Sequence, residues 1–172
     1  MKNKTIAISI ILIIVIIAGV FYYFLSENSF FNKQSVKTNF FYPILTAKTI
    51  AASLNAMMLN GTIANKNDRR QLFAIYRHMK GIKYFKLVRG NTVSKEFGPG
   101  LKQEMPSTRF DRKLLTSKKI MVEFFKKNKH RYLEVGLPLI AKKDAGGIDC
   151  LTCHTVKSRT VLGGVEAIYP VK

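Results

Sequence analysis

The sequence predicts an α+β protein: an N-terminal membrane-spanning helix, followed by an antiparallel sheet with flanking helices. Three observations carry this expectation. Residues 5–25 read TIAISIILIIVIIAGVFYYFL, 21 residues without a charge. Apolar residues recur at helical spacing between Ile44 and Met79. From Ile82 onward the chain breaks into short alternating runs separated by Gly, Pro and Asn.

The apolar run comes first. At about 1.5 Å per residue it spans roughly 30 Å, the hydrocarbon thickness of a bilayer. A cleaved signal peptide is the competing reading. Its apolar core is shorter, roughly 7–15 residues, and ends in a small-x-small cleavage site. Here the run is longer and leaves through Phe21, Tyr22, Tyr23 and Phe24, side chains suited to a membrane interface. Lys2 and Lys4 precede it, which predicts a cytoplasmic N-terminus. Lys33 and Lys37 lie farther off and precede a long translocated domain. The expected arrangement is a single-pass protein of the inner (cytoplasmic) membrane with its main domain in the periplasm. Residues 1–27 form the anchor, 28–43 a linker helix and 44–172 the domain.

The 172 residues hold 29 Lys and Arg against 10 Asp and Glu, a net charge of +19. A lysine-rich solvated surface accounts for this. Such a surface also suits anionic lipid headgroups or an acidic redox partner. Nucleic acid is excluded as a partner for an exported domain, and no nucleic-acid-binding motif occurs.

Within the domain, Ile44, Leu45, Ala47, Ile50, Ala51, Leu54, Met57 and Met58 mark a first helix. Pro43 either kinks or starts it, and Asn60-Gly61 stops it. A second helix follows, with Asp68 as cap and Leu72, Phe73, Ile75, Tyr76 and Met79 as its apolar stripe. Residues 82–89 alternate and read as a strand. Gly90-Asn91 reads as a turn into a second strand, TVSKEF. Residues 98–110 form a Gly- and Pro-rich loop, and a short helix is expected near Asp111–Ser117. KIMVEFFKK and HRYLEVGLPLI pair as strands about Asn128-Lys129, and TVLGGVEAIYPV is a final strand. The helices are expected on one side of the sheet.

The only two cysteines stand in Cys150-Leu151-Thr152-Cys153-His154. A zinc site needs about four ligands, and this motif supplies three at most. A thioredoxin-like pair belongs at a helix start after an early strand, not behind a Gly-rich loop near the C-terminus. A disulfide across two residues closes a tiny loop and stabilises little. Covalent haem attachment also accounts for the histidine: two thiols add to the porphyrin vinyl groups and the adjacent imidazole ligates iron. Export past the cytoplasmic membrane agrees with it. The expected cofactor is one covalent haem c, held by Cys150, Cys153 and His154.

The segments AKTIAASLNAMMLNGTI (47–63), GIKYFKLVRGNTVSKEFGPG (81–100), VGLPLIA (135–141) and IDCLTCHTVKSRTVLGGVEAI (148–168) extend the argument. Together they resemble the periplasmic, single-haem, PAS-like sensor domains at the N-termini of bacterial chemoreceptors, histidine kinases and diguanylate cyclases. The resemblance covers roughly residues 44–169. It implies a PAS/Cache-like antiparallel sheet with flanking helices, a haem at its edge, and homodimers that exchange N-terminal helices. A second span, a HAMP-type coiled coil and a kinase or methyl-accepting region do not occur in this sequence. Two expectations stay open: an excised sensor module, or a stand-alone anchored cytochrome on the same fold.

The sixth iron ligand decides function, because a strong one gives an electron carrier and an open or weak one admits gases. Met57, Met58, Met79, Met105, Met121, His78 and His130 are the candidates. Met57-Met58 ends a helix just before a chain reversal, and only one of the two can face the iron, since adjacent helical residues diverge by about 100°. The resemblance implies a methionine at Met58, which we favour, with Met57 as the alternative. His78 and His130 read as surface residues. Haem propionates need cationic partners, for which Arg89, Lys157 and Arg159 are placed. Pro138, Gly146-Gly147 and Gly163-Gly164 would allow close backbone approach to the macrocycle. Tyr84, Phe85 and Phe110 are core residues by default, with pocket lining as the alternative.

The functional expectation is a haem c sensor of redox state or of NO, CO or O₂, acting through axial ligation and a signalling protein partner. The alternative is an electron-transfer monohaem cytochrome without signalling output. One haem and no acid–base constellation argue against an enzyme.

Overall fold

The computed structural model describes residues 40–144 and 148–171. Residues Tyr42–Lys172 form a compact unit. The expected anchor and most of the linker helix lie outside the described residues. Among the described residues no helix is long and apolar enough to cross a membrane.

The element order is α1 (residues 40–59), α2 (Lys66–Arg77), β1 (Tyr84–Arg89), α3 (Asn91–Phe97), α4 (Arg109–Leu114), β2 (Met121–Lys127), β3 (His130–Ile140) and β4 (Val161–Val171). The chain is therefore α+β, with a four-stranded antiparallel sheet in the order β1-β4-β3-β2. The last strand is central. It pairs β1 from Tyr84↔Ile168 to Arg89↔Gly163 and β3 from Arg131↔Val171 to Ile140↔Val161.

Helix α1 continues through Pro43 and ends where expected, with Gly61 left-handed at φ 74° behind Asn60. Helix α2 is capped by Asn65, whose side chain accepts the Asn67 amide; Asp68 sits in the first turn instead. Its buried stripe is Phe73 and Tyr76, with Leu72 partly buried, while Ile75 and Met79 are exposed. The β2–β3 hairpin closes as expected. Asn128 and Lys129 have φ 50° and 65°, the two left-handed residues of a tight hairpin turn.

Strand alternation builds a core on each face of the sheet. Phe85, Val165 and Ala167 pack with Ile50 and Leu54 of α1 and Phe73 and Tyr76 of α2. On the other face Val88 packs with Phe110 and Leu114 of α4. The helices thus cover both faces, not one. The expectation failed because α4 is only two turns long and carries few apolar residues. Its start is fixed by a capping box, Thr108 with Asp111, so the helix begins at Arg109 and not at Asp111. Close contact explains two glycines. A Cβ on Gly164 would lie 2.6 Å from the Leu114 side chain, and one on Gly163 would lie 2.6 Å from the Val88 carbonyl. These glycines serve close packing within the protein. Phe85 and Phe110 are likewise core.

The second expected strand is a helix, α3. Gly90 is pressed against β4, where a Cβ would sit 2.3 Å from the Leu162 carbonyl. At the far end the Arg89 guanidinium donates to the carbonyls of Val93 and Gly98. These contacts span several residues and outweigh the period-two pattern of TVSKEF.

Two buried ion pairs fasten the loops. Arg69 Nε donates to Glu104 at 2.6 Å, and Glu104 also accepts the Leu101 amide. Lys86 Nζ donates to Asp111 at 2.6 Å beneath α4.

Candidate functional site

The cysteine motif lies in the connection between β3 and β4, two neighbouring strands. Residues Cys150–Thr152 form one 3₁₀ turn, started by Asp149, whose side chain accepts the Leu151 amide. The turn is bonded to the end of β3: the Cys150 amide donates to the Lys142 carbonyl. Cys150 is buried against Ala141 and Leu162, and Cys153 is exposed. Both thiols are free.

A groove of about 670 Å³ opens beside this turn, within the range of roughly 300–1,000 Å³ usual for small-molecule sites. Met58 from α1 and Cys150 both line it. Leu137, Pro138 and Leu139 of β3, Ile120 and Leu162 supply apolar wall. Lys48, Lys118 and Lys142 also border it and are exposed residues. Their aliphatic stems can lie along apolar surface while the ammonium groups stay in water. Met57 does not line the groove, as the divergence of adjacent helical side chains requires.

His154 is held on the side of α3. Its Nδ1 lies 2.8 Å from Glu96 Oε2, and the other carboxylate oxygen accepts the Thr155 amide at 2.7 Å. Phe97 packs edge-on against the imidazole, with centroids 5.2 Å apart. In the neutral imidazole a carboxylate acceptor selects the tautomer with the proton on Nδ1, which leaves the lone pair on Nε2. A metal-ligating histidine whose second nitrogen bonds a carboxylate has this pattern.

The other expected site residues lie elsewhere. Arg89 faces α3 and Glu104, with Nη1 3.9 Å from Glu104 Oε2. It positions Glu96 through α3 and is not available at the groove. Lys157 and Arg159 are exposed and do not line the groove. Arg159 is left-handed at φ 70°, and its amide bonds the Ala141 carbonyl. His78 and His130 are exposed. Gly146-Gly147 lie outside the described residues. Pro138 lines the groove as expected. Sequence reasoning missed Glu96, Phe97 and the three groove lysines. The only signal for Glu96 was an acidic residue among few, hidden by the reading of its segment as a strand.

No family model and no curated protein matches the chain. Among the described residues no three His, Cys, Asp or Glu side chains are arranged to hold a metal ion. The donor types are those of haem c: two free thiols within four residues, an imidazole with Nδ1 engaged, and a thioether sharing a groove with the first thiol, while Cys153 and His154 do not themselves line that groove.

Proposed function

We propose that this is a membrane-anchored, periplasmic c-type haem protein that senses redox state or a small gas through its axial ligands. The observation that carries the reading is that Met58 and Cys150 line the same groove. Nothing in the spacing of α1 and the CxxCH motif requires this. The sheet order also supports the PAS-like part of the reading, since it is antiparallel with flanking helices and puts the motif between adjacent strands.

In this reading Cys150 and Cys153 would hold the macrocycle covalently, and His154 and Met58 would ligate its iron. Glu96 orients His154 and adds to its donor strength. Lys48, Lys118 and Lys142 border the groove and would be further cationic partners for the propionates beside Lys157 and Arg159. When bound, haem supplies a one-electron couple and, where the distal ligand is weak, a site for NO, CO or O₂. Met58 lies on α1, so a change at its thioether acts on the helix that leads back to the N-terminal segment. That is the two-state element a sensor needs.

An electron carrier is the second reading. The exposure of Cys153 favours it, because an attachment point at the surface suits exchange with a partner protein.

The test is production of the full chain in a host that matures c-type cytochromes. Denatured protein should keep a Soret band and the mass of polypeptide plus haem, and Cys150→Ala/Cys153→Ala should lose both. Bare polypeptide mass would reject the reading. CO or NO binding by the ferrous protein separates sensor from carrier.

A further inference from the structure

The tip of the β2–β3 hairpin concentrates charge that the fold itself does not use. Lys126, Lys127, Lys129, His130 and Arg131 are all exposed, and no carboxylate interrupts them. Register places Lys126 directly across from Arg131 and Lys127 across from His130. Like charges in opposed positions destabilise a strand pair. Lysines on the edge strand β2 would suffice to discourage edge-to-edge pairing. Arg131 is on β3, which is paired on both sides, so that role does not explain it.

The tip also has aromatic neighbours. Phe125 and Tyr132 stack across the hairpin with centroids 5.3 Å apart, and Phe124 is 54% exposed. Cations backed by aromatic rings are the composition of a surface that meets lipid headgroups. The tip lies at the end of the domain where the chain enters it. Leu133 pairs with Tyr169, and the Tyr169 hydroxyl donates to the Pro43 carbonyl at 3.4 Å. In sequence, Pro43 follows the apolar run 5–25 by fewer than twenty residues.

We propose that the β2–β3 hairpin tip docks onto anionic lipid headgroups, with Lys126, Lys127, Lys129 and Arg131 as the contacting cations. The inference rests on the anchored reading of the apolar run. Attraction of this kind scales with the number of basic residues near the surface and falls with salt.

The full chain is reconstituted into vesicles of phosphatidylcholine alone, or of phosphatidylcholine with phosphatidylglycerol. A membrane-impermeant amine-acylating reagent is then added, and mass spectrometry reads each lysine. Lys126, Lys127 and Lys129 should label severalfold more slowly in the anionic vesicles at low salt, and recover at high salt. Lys66, exposed just beyond the far end of α1, should label equally in both. Equal labelling of the hairpin in the two vesicle types would overturn the proposal. So would protection by soluble polyglutamate and not by anionic lipid, which would point to an acidic protein. Flotation with neutral vesicles reads the anchor separately: a chain that stays with neutral lipid but shows no anionic protection overturns the hairpin proposal alone.

Discussion

Glu96 holds His154 by a 2.8 Å contact to Nδ1 while the same carboxylate takes the Thr155 amide. A carboxylate on the second nitrogen makes an imidazole a stronger donor and favours the oxidised metal. Glu96→Gln should keep the haem, since the amide can still accept from Nδ1, but raise the midpoint potential. The expected shift is on the order of tens of millivolts, given that tenfold in a one-electron equilibrium is about 59 mV. Potentiometric titration checks it, and an unchanged potential would reject the role.

Met58 and Met57 offer a matched pair. Only Met58 lines the groove. Met58→Leu keeps volume and removes the thioether, so the ferric Met–iron charge-transfer band should vanish. Met57→Leu should keep it. Visible absorption of the two variants decides between the neighbours.

Two ion pairs of equal length should differ in weight. Arg69–Glu104 and Lys113–Glu123 both measure 2.6 Å, but the first is buried and the second has side chains over 40% exposed. Arg69→Met leaves a buried carboxylate with only the more distant Arg89, 3.9 Å away, as cation and should cost about 3 kcal/mol. Lys113→Met should cost about 0–1 kcal/mol. Urea midpoints of the two variants test the contrast.

The acid pair beneath α4 predicts a pH dependence. Asp111 accepts from Lys86 and from the amides of Ser107 and Thr108, and its carboxyl is lowered despite the opposing effect of burial. Glu166 is 1% exposed and has no cationic donor, and burial followed by Asp111 pushes it up to about 9. Asp111 Oδ1 and Glu166 Oε2 have no hydrogen-bond partner among the described residues, and a proton on Glu166 supplies a donor. The folded state thus holds a proton that the unfolded chain releases near its ordinary value of 4.5. The Glu166 contribution is complete below that value and is lost as pH rises toward about 9. The slope is at most about 1.4 kcal/mol per pH unit. Glu166→Gln should flatten the fall in stability between pH 5 and pH 9, as read by urea unfolding at several pH values. A parallel decline in the variant would assign the slope to other groups.

Local signals were legible where they were chemically sharp. Asn60-Gly61 and Asn128-Lys129 gave a helix end and a hairpin, because left-handed backbone favours few residue types. Cys150, Cys153 and His154 stay together in one local turn and its exit, as their adjacency in sequence requires. What stayed hidden depends on partners far along the chain. Lys86 alternates like a solvent-facing residue, yet it is 4% exposed because Asp111 meets it from α4. Helix α3 needs Arg89 at Val93 and Gly98, so its period-two pattern misled. Glu96 inherited that error, although it makes the closest contact to the motif histidine.

The central position of β4 carries a consequence for biogenesis. It is made after the cysteine motif, and both β1 and β3 lack their shared partner until it arrives. The core of Ile50, Leu54, Phe73, Tyr76 and Phe85 cannot close around Val165 and Ala167 before the two thiols have left the ribosome. Cys150 packs against Leu162 of that strand, so its thiol stays accessible until β4 zips in, and under the proposed reading that is the interval in which haem would be attached.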